Sequence, residues 1–137
     1  MTGILVVTHA ELGSTLIDTL EFILGKPQEN LISISIDIKQ DPDNLRKKIK
    51  KGIEKVRSDR GVIILTDMFG GTPSNLSYSF LEEGQVEVIS GVNLPILMKA
   101  VTARDKMDMD KLTAALVEHG KRSISLASDI LKGTSRS

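Results

Sequence analysis

Gly61-Val62-Ile63-Ile64-Leu65-Thr66-Asp67-Met68-Phe69-Gly70-Gly71-Thr72-Pro73-Ser74-Asn75 is the stretch that decides the fold. Its first six residues form a short apolar run rich in β-branched side chains, which reads as a strand covered on both faces. Thr72 suits a helix N-cap, and Pro73 suits the first helical position, where a missing N–H costs nothing. A buried strand thus leads through a turn into a helix whose free N–H groups point above the strand's end. The turn holds an acid, Asp67, and two glycines, Gly70 and Gly71, that let backbone come close to a ligand. Such a rim suits a negatively charged group only if a proton or cation mediates between that group and the acid.

The flanking chain repeats the strand-then-helix pattern. Ile4-Leu5-Val6-Val7-Thr8 is an apolar strand that ends at His9, and Leu12, Leu16, Leu20, Ile23 and Leu24 then recur at helical spacing until Gly25 and Pro27 stop them. Residues 31–38 alternate Ile32, Ile34, Ile36 and Ile38 with polar neighbours, the period of a strand with one wetter face at a sheet edge. Asp41 and Pro42 open a second helix, whose stripe of Leu45, Ile49, Ile53 and Val56 lies beneath a solvated face of lysines and arginines. The third helix is expected over residues 73–83 and a fourth strand over 86–90, followed by a helix from Leu94 to about residue 103. One last long helix is expected over residues 108–131, with Leu112, Leu116, Val117, Ile124, Ala127 and Leu131 on one side.

Strands alternating with helices imply parallel pairing through right-handed crossovers, hence an α/β three-layer sandwich. With the alternating strand at an edge, the order is 2-1-3-4, the flavodoxin-like arrangement, with room for an added short edge strand. Residues 1–132 are expected to form one domain, and residues 133–137 a frayed tail. In this order the first and third strands meet at the topological switch point, and ligands bind outside their carboxyl ends. Those ends carry His9 and Asp67. Nothing local to either segment requires that coincidence.

A carboxylate bonded to one imidazole N–H fixes the tautomer and leaves the other nitrogen's lone pair free. That nitrogen can act as base, ligand or nucleophile, and the carboxylate stabilises the positive ring formed when it attacks an electrophile. A phosphoryl group is the electrophile most compatible with a nearby helix start, since free N–H donors and the Thr72 hydroxyl can hold its oxygens. The expected product is a phosphohistidine at His9.

Three segments, residues 4–9, 65–75 and 89–95, resemble in order and spacing the mannose-class enzyme IIA proteins of the bacterial phosphoenolpyruvate-dependent sugar phosphotransferase system (PTS). The resemblance implies that His9 accepts phosphate from the histidine-containing phosphocarrier protein and passes it to a IIB component. It also implies that Asp67 orients His9, that Gly70, Gly71, Thr72 and Ser74 border the phosphate, and that the protein is a homodimer. Some relatives join IIA to IIB through a linker; this chain stops soon after its last expected helix, so the IIB partner is expected on a separate chain. The phosphocarrier subunit of dihydroxyacetone kinase is a more distant likeness, without a close counterpart of Gly-Gly-Thr-Pro-Ser-Asn.

Composition narrows the remaining classes. Eighteen basic and eighteen acidic residues cancel, so no global field draws nucleic acid or an anionic membrane. No cysteine is present, which removes disulfides, thiolate metal sites and thiol nucleophiles. No apolar stretch approaches the ~18 residues that span a bilayer and no leader pattern opens the chain, so a cytoplasmic protein without membrane insertion is expected. The nucleotide-cradling glycine motifs and the hydrolase elbow are absent. No metal or organic cofactor is required, and His119 reads as a surface histidine. Met68 and Phe69 read either as packing under the loop or as an apolar anchor for a docking partner. Ser90 and Asn93 border the same crevice or serve turn chemistry. The alternatives with this fold are a regulatory phosphorelay without transport and an anion sensor.

Overall fold

The computed structural model describes residues 1–133; four of the five residues expected as a tail, 134–137, lie outside the described part. Four strands, β1 (Gly3–His9), β2 (Leu31–Ile36), β3 (Val62–Thr66) and β4 (Val86–Ser90), form one sheet. Its order is β2-β1-β3-β4 and every pair is parallel. This is the arrangement expected from the alternation of strands and helices. Among the described residues no further strand joins the sheet, and an antiparallel bridge from Glu82 to Val86 is all that is added at β4.

Because β1 and β3 are central, both of their faces are covered. Ile4, Val6, Ile63 and Leu65 pack on one side with α1 (Leu12–Leu24), α4 (Leu94–Ala103) and α5 (Met109–Arg122). Leu5, Val7, Val62 and Ile64 pack on the other with α2 (Pro42–Val56) and α3 (Thr72–Tyr78). Alternate residues of a strand face opposite ways, so the unbroken apolar runs feed two cores at once.

Four features of the elements differ from the sequence expectation. β2 stops at Ile36, because the Asp37 carboxylate accepts the Lys39 N–H (3.0 Å) and turns the chain away; Ile38 is left exposed. In α1 the buried line is Gly13, Ile17 and Leu20, while Leu12 and Ile23 are exposed. α3 ends at Tyr78 instead of near residue 83: Ser77 and Ser79 donate their hydroxyls to the Pro73 and Leu76 carbonyls, and the chain continues in tighter turns from Ser79 to Leu81. The long last helix is two, α5 and a short α6 (Ala127–Leu131), separated where the Ser123 hydroxyl bonds the His119 carbonyl.

The opposite end of the sheet is tied by Arg104, which is 2% exposed. Its guanidinium donates to the carbonyls of Thr2 (3.3 Å), Glu29 (2.6 Å) and Asn30 (3.1 Å), joining α4 to the starts of β1 and β2. Among the described residues no helix is long and apolar enough to cross a membrane.

Candidate phosphoryl site at the ends of β1 and β3

Val7 pairs with Thr66 in the sheet, so His9 and Asp67 leave neighbouring strands at the same end. The Asp67 Oδ2 atom accepts both the His9 backbone N–H (2.9 Å) and the His9 ring Nδ1–H (2.7 Å). Asp67 Oδ1 accepts the Met68 N–H (3.0 Å). The carboxylate is therefore held at both oxygens, and the imidazole is held in the tautomer that protonates Nδ1 and leaves the Nε2 lone pair free.

Burial by itself would raise the carboxyl pKa of Asp67. The hydrogen bonds from the His9 backbone and ring, with the ring's electrostatic attraction, outweigh it and hold Asp67 below the usual carboxylate range. The two side chains differ in access: His9 is 40% exposed and Asp67 only 11%. The ring opens to solvent while the carboxylate beside it is shielded.

Local backbone sets the ring's position. Ala10, directly after His9, has φ of +47°, a left-handed conformation uncommon for a non-glycine residue. It turns the chain out of β1, and the Thr8 hydroxyl then accepts the Gly13 N–H (2.8 Å) at the start of α1. No side chain of the preceding Glu11 caps that helix, so a strand residue supplies the cap. Sequence reading missed Thr8; its sole signal is a hydroxyl in an otherwise apolar strand.

The glycine turn meets the ring from the other side. A Cβ placed on Gly71 would lie 3.0 Å from His9 Cε1 and 3.7 Å from Nε2. Gly71 has φ of −85°, so backbone geometry does not demand glycine there; close approach to the ring does. Gly70 is the reverse case, with φ of +85° and nothing within 4 Å of an added Cβ.

Helix α3 begins one residue earlier than expected. Gly71 is its N-cap, with Asn75 N–H bonding the Gly71 carbonyl (2.9 Å), and Thr72 is the first helical residue. Thr72 is thus freed from capping and is partly buried beside the turn. Ser74 is brought into the helix but turned inward: it is fully buried, and its hydroxyl contacts Thr66, Ser90 and the Met68 carbonyl. Ser90, itself half-buried, belongs to the same hydroxyl cluster, while Asn93 caps α4 by accepting the Ile96 N–H (2.9 Å). Met68 and Phe69 are exposed at 56% and 79%, and the Phe69 ring lies 6.3 Å from that of Tyr78.

His119 sits in the last turn of α5, where a cationic or hydrogen-bonding ring complements the helix dipole. Among the described residues no group of three histidines or acids is placed to hold a metal ion.

A family model described as "PTS system fructose IIA component" matches residues 3–117. A fructose-specific EIIA component of Bacillus subtilis is 27% identical over 133 residues, covering 96% of this chain and 90% of that protein. The mannose-specific EIIAB component of Escherichia coli K12 is 33% identical over 124 residues, covering 89% of this chain; the match spans only 38% of that longer protein. Among solved structures, an EIIA component from Streptococcus agalactiae superposes with a TM-score of 0.83 at 26% identity, covering 93% of this chain and 98% of that one.

Proposed function

Since this chain belongs to the mannose/fructose-class IIA family of the sugar PTS, we propose that it accepts a phosphoryl group on His9 Nε2 from the histidine-containing phosphocarrier protein and passes it to a IIB component. The observation that carries this reading is the doubly bonded Asp67–His9 pair, which leaves one ring nitrogen unprotonated beside an open turn.

In the transfer, Nε2 attacks phosphorus, the bond from phosphorus to the donor's histidine nitrogen breaks, and that nitrogen recovers its electron pair. The proton on Nδ1 stays where it is. The positive charge that develops on the His9 ring is stabilised by Asp67, already ionised and 2.7 Å away. Transfer to IIB reverses these roles. Gly71 keeps the space beside Nε2 clear, and the Gly70–Gly71 turn with the Thr72 N–H and hydroxyl borders the phosphoryl oxygens. Ser74 contributes there through its backbone alone, because its hydroxyl is engaged inside. Exposed Met68 and Phe69 next to the site fit an apolar anchor for the docking phosphocarrier.

The same reading includes a homodimer. Among the described residues β4 has a ladder neighbour on one side only, and Ile124, Leu126, Ile130 and Leu131, which follow α5, are exposed at 56–86%. A groove of Ile89, Ile96, Val117, Gly120 and Ile124 runs between them. A second copy covering this face would bury apolar area that a monomer leaves in water.

The deciding experiment incubates the protein with phosphoenolpyruvate, enzyme I and the phosphocarrier. One acid-labile phosphate per chain is expected, and none in His9→Ala. Noncovalent anion binding without a label would favour a sensor of the same fold.

A further inference from the structure

Four hydroxyls cluster beneath the turn that carries Asp67. Thr66 Oγ1, Ser74 Oγ and Ser90 Oγ are mutually in contact, with Thr66 to Ser90 at 2.9 Å and Ser74 to Ser90 at 3.0 Å, and the Tyr78 hydroxyl reaches Ser90 at 3.2 Å. Ser74 also lies 2.6 Å from the Met68 carbonyl. A carbonyl can only accept, so Ser74 donates its proton to Met68, and its oxygen is left to accept from its hydroxyl neighbours.

Ser74 is fully buried inside a helix. Ser74 is in the first turn of that helix, and a buried hydroxyl is tolerated there only when it is bonded. A helical serine commonly bonds the carbonyl four residues back. Ser74 instead reaches six residues back, out of the helix and into the loop.

The bonds then run in sequence to the ring. Ser74 holds the Met68 carbonyl, the Met68 N–H holds Asp67 Oδ1 (3.0 Å), and Asp67 Oδ2 holds His9 Nδ1 (2.7 Å). Met68 is pinned at both ends of its backbone although its side chain is 56% exposed. Without the Ser74 bond Met68 loses one of its two anchors, and the N–H that sets the Oδ1 side of the carboxylate is held less firmly, while the His9 backbone N–H still holds Oδ2. A carboxylate less firmly set on one side enforces one imidazole tautomer less strictly.

We infer that Ser74, supported by Thr66 and Ser90, is a positioning residue for phosphoryl transfer: its hydroxyl clamps the Met68 carbonyl, thereby fixing the Asp67 carboxylate that keeps His9 Nδ1 protonated. This rests on the His9 phosphocarrier reading for its rate effect but not for its effect on the ring.

The test compares the full chain with Ser74→Ala by two readouts, ¹⁵N chemical shifts of the His9 imidazole at neutral pH and the rate of phosphoryl transfer. In the unsubstituted protein the two ring nitrogens should show well-separated protonated and unprotonated shifts. In Ser74→Ala the separation should shrink as the tautomers mix, with transfer slowed about tenfold, a loss of order 1.4 kcal/mol. Ser90→Ala, one bond removed from the loop, should move both readouts the same way but less, and it decides the matter if Ser74→Ala does not fold. Ring shifts unchanged in a folded variant would overturn the clamp, whatever the change in stability. An unsubstituted protein that takes no phosphate would overturn the phosphocarrier reading alone, because the ring shifts still report on the clamp.

Discussion

One oxygen of Asp67, Oδ2, receives two hydrogen bonds from His9, one from its backbone N–H at 2.9 Å and one from its ring at 2.7 Å. The first fixes where β1 ends relative to β3, and the second fixes which ring nitrogen carries the proton. Fold and chemistry therefore share a single side chain.

Asp67→Asn separates the two. An amide oxygen can still accept the backbone N–H, but it carries no charge to stabilise the cationic ring. Phosphoryl transfer should slow by about 10²-fold or more, while the protein remains folded. The pH dependence has a defined sign. A carboxyl whose pKa is depressed on folding stabilises the protein above its unfolded pKa, and that contribution disappears as pH falls through the folded value. Urea denaturation should thus show the unsubstituted protein losing stability in the acid range below the ordinary carboxylate pKa, with part of that loss missing in Asp67→Asn. Superimposable pH profiles would remove Asp67 from the balance.

The two glycines of the turn should respond in opposite ways. Gly71→Ala meets no conformational barrier, but its methyl group would press on His9 Cε1 at 3.0 Å. It should change stability by less than about 1 kcal/mol and reduce transfer at least tenfold. Gly70→Ala has open space but a positive φ, so it should cost about 1 kcal/mol or more of stability. Its effect on transfer by the folded protein should be the smaller of the two. Denaturant midpoints measured beside transfer rates separate these outcomes.

Much of this was legible in the sequence. The apolar run of β3 marks a strand covered on both faces, that of β1 an apolar strand, and the wetter alternation of β2 places it at an edge, which together give the strand order. The approach of His9 to Asp67 followed from that order. What was not legible depended on partners distant in sequence or on single hydroxyls. Periodicity could not show that α5 ends at Arg122, because Ile124 and Leu131 continue the apolar spacing while being exposed; an apolar residue is not thereby a covered one. The inward turn of Ser74 depended on Thr66 and Ser90, which arrive from other elements.

Arg104 offers a test of the fold away from the site. Its guanidinium serves three backbone carbonyls where β1, β2 and α4 meet. Arg104→Met keeps much of the apolar stem but removes the side-chain donor from the Thr2 and Glu29 carbonyls, leaving Asn30 with only the Ile4 N–H, so it should destabilise by about 3 kcal/mol. Folded Arg104→Met protein should accept phosphate at an unchanged rate. Equilibrium denaturation followed by a transfer assay on the native fraction checks both parts.

For the dimer, the double variant Ile124→Asp with Leu131→Asp puts charge on the exposed face that follows α5. Neither side chain is buried within the chain, so the helical circular dichroism spectrum should be preserved. Sedimentation should show a monomer where the unsubstituted protein shows twice that mass. A dimer that persists would place the contact on another face.

The most direct measurement of the central claim is the site of phosphate attachment on the ring, read by ¹H–¹⁵N correlation NMR of the protein phosphorylated through phosphoenolpyruvate, enzyme I and the phosphocarrier. The expected result is one phosphate on His9 Nε2 with Nδ1 still protonated and bonded to Asp67. Attachment at Nδ1, or at any residue other than His9, would contradict it.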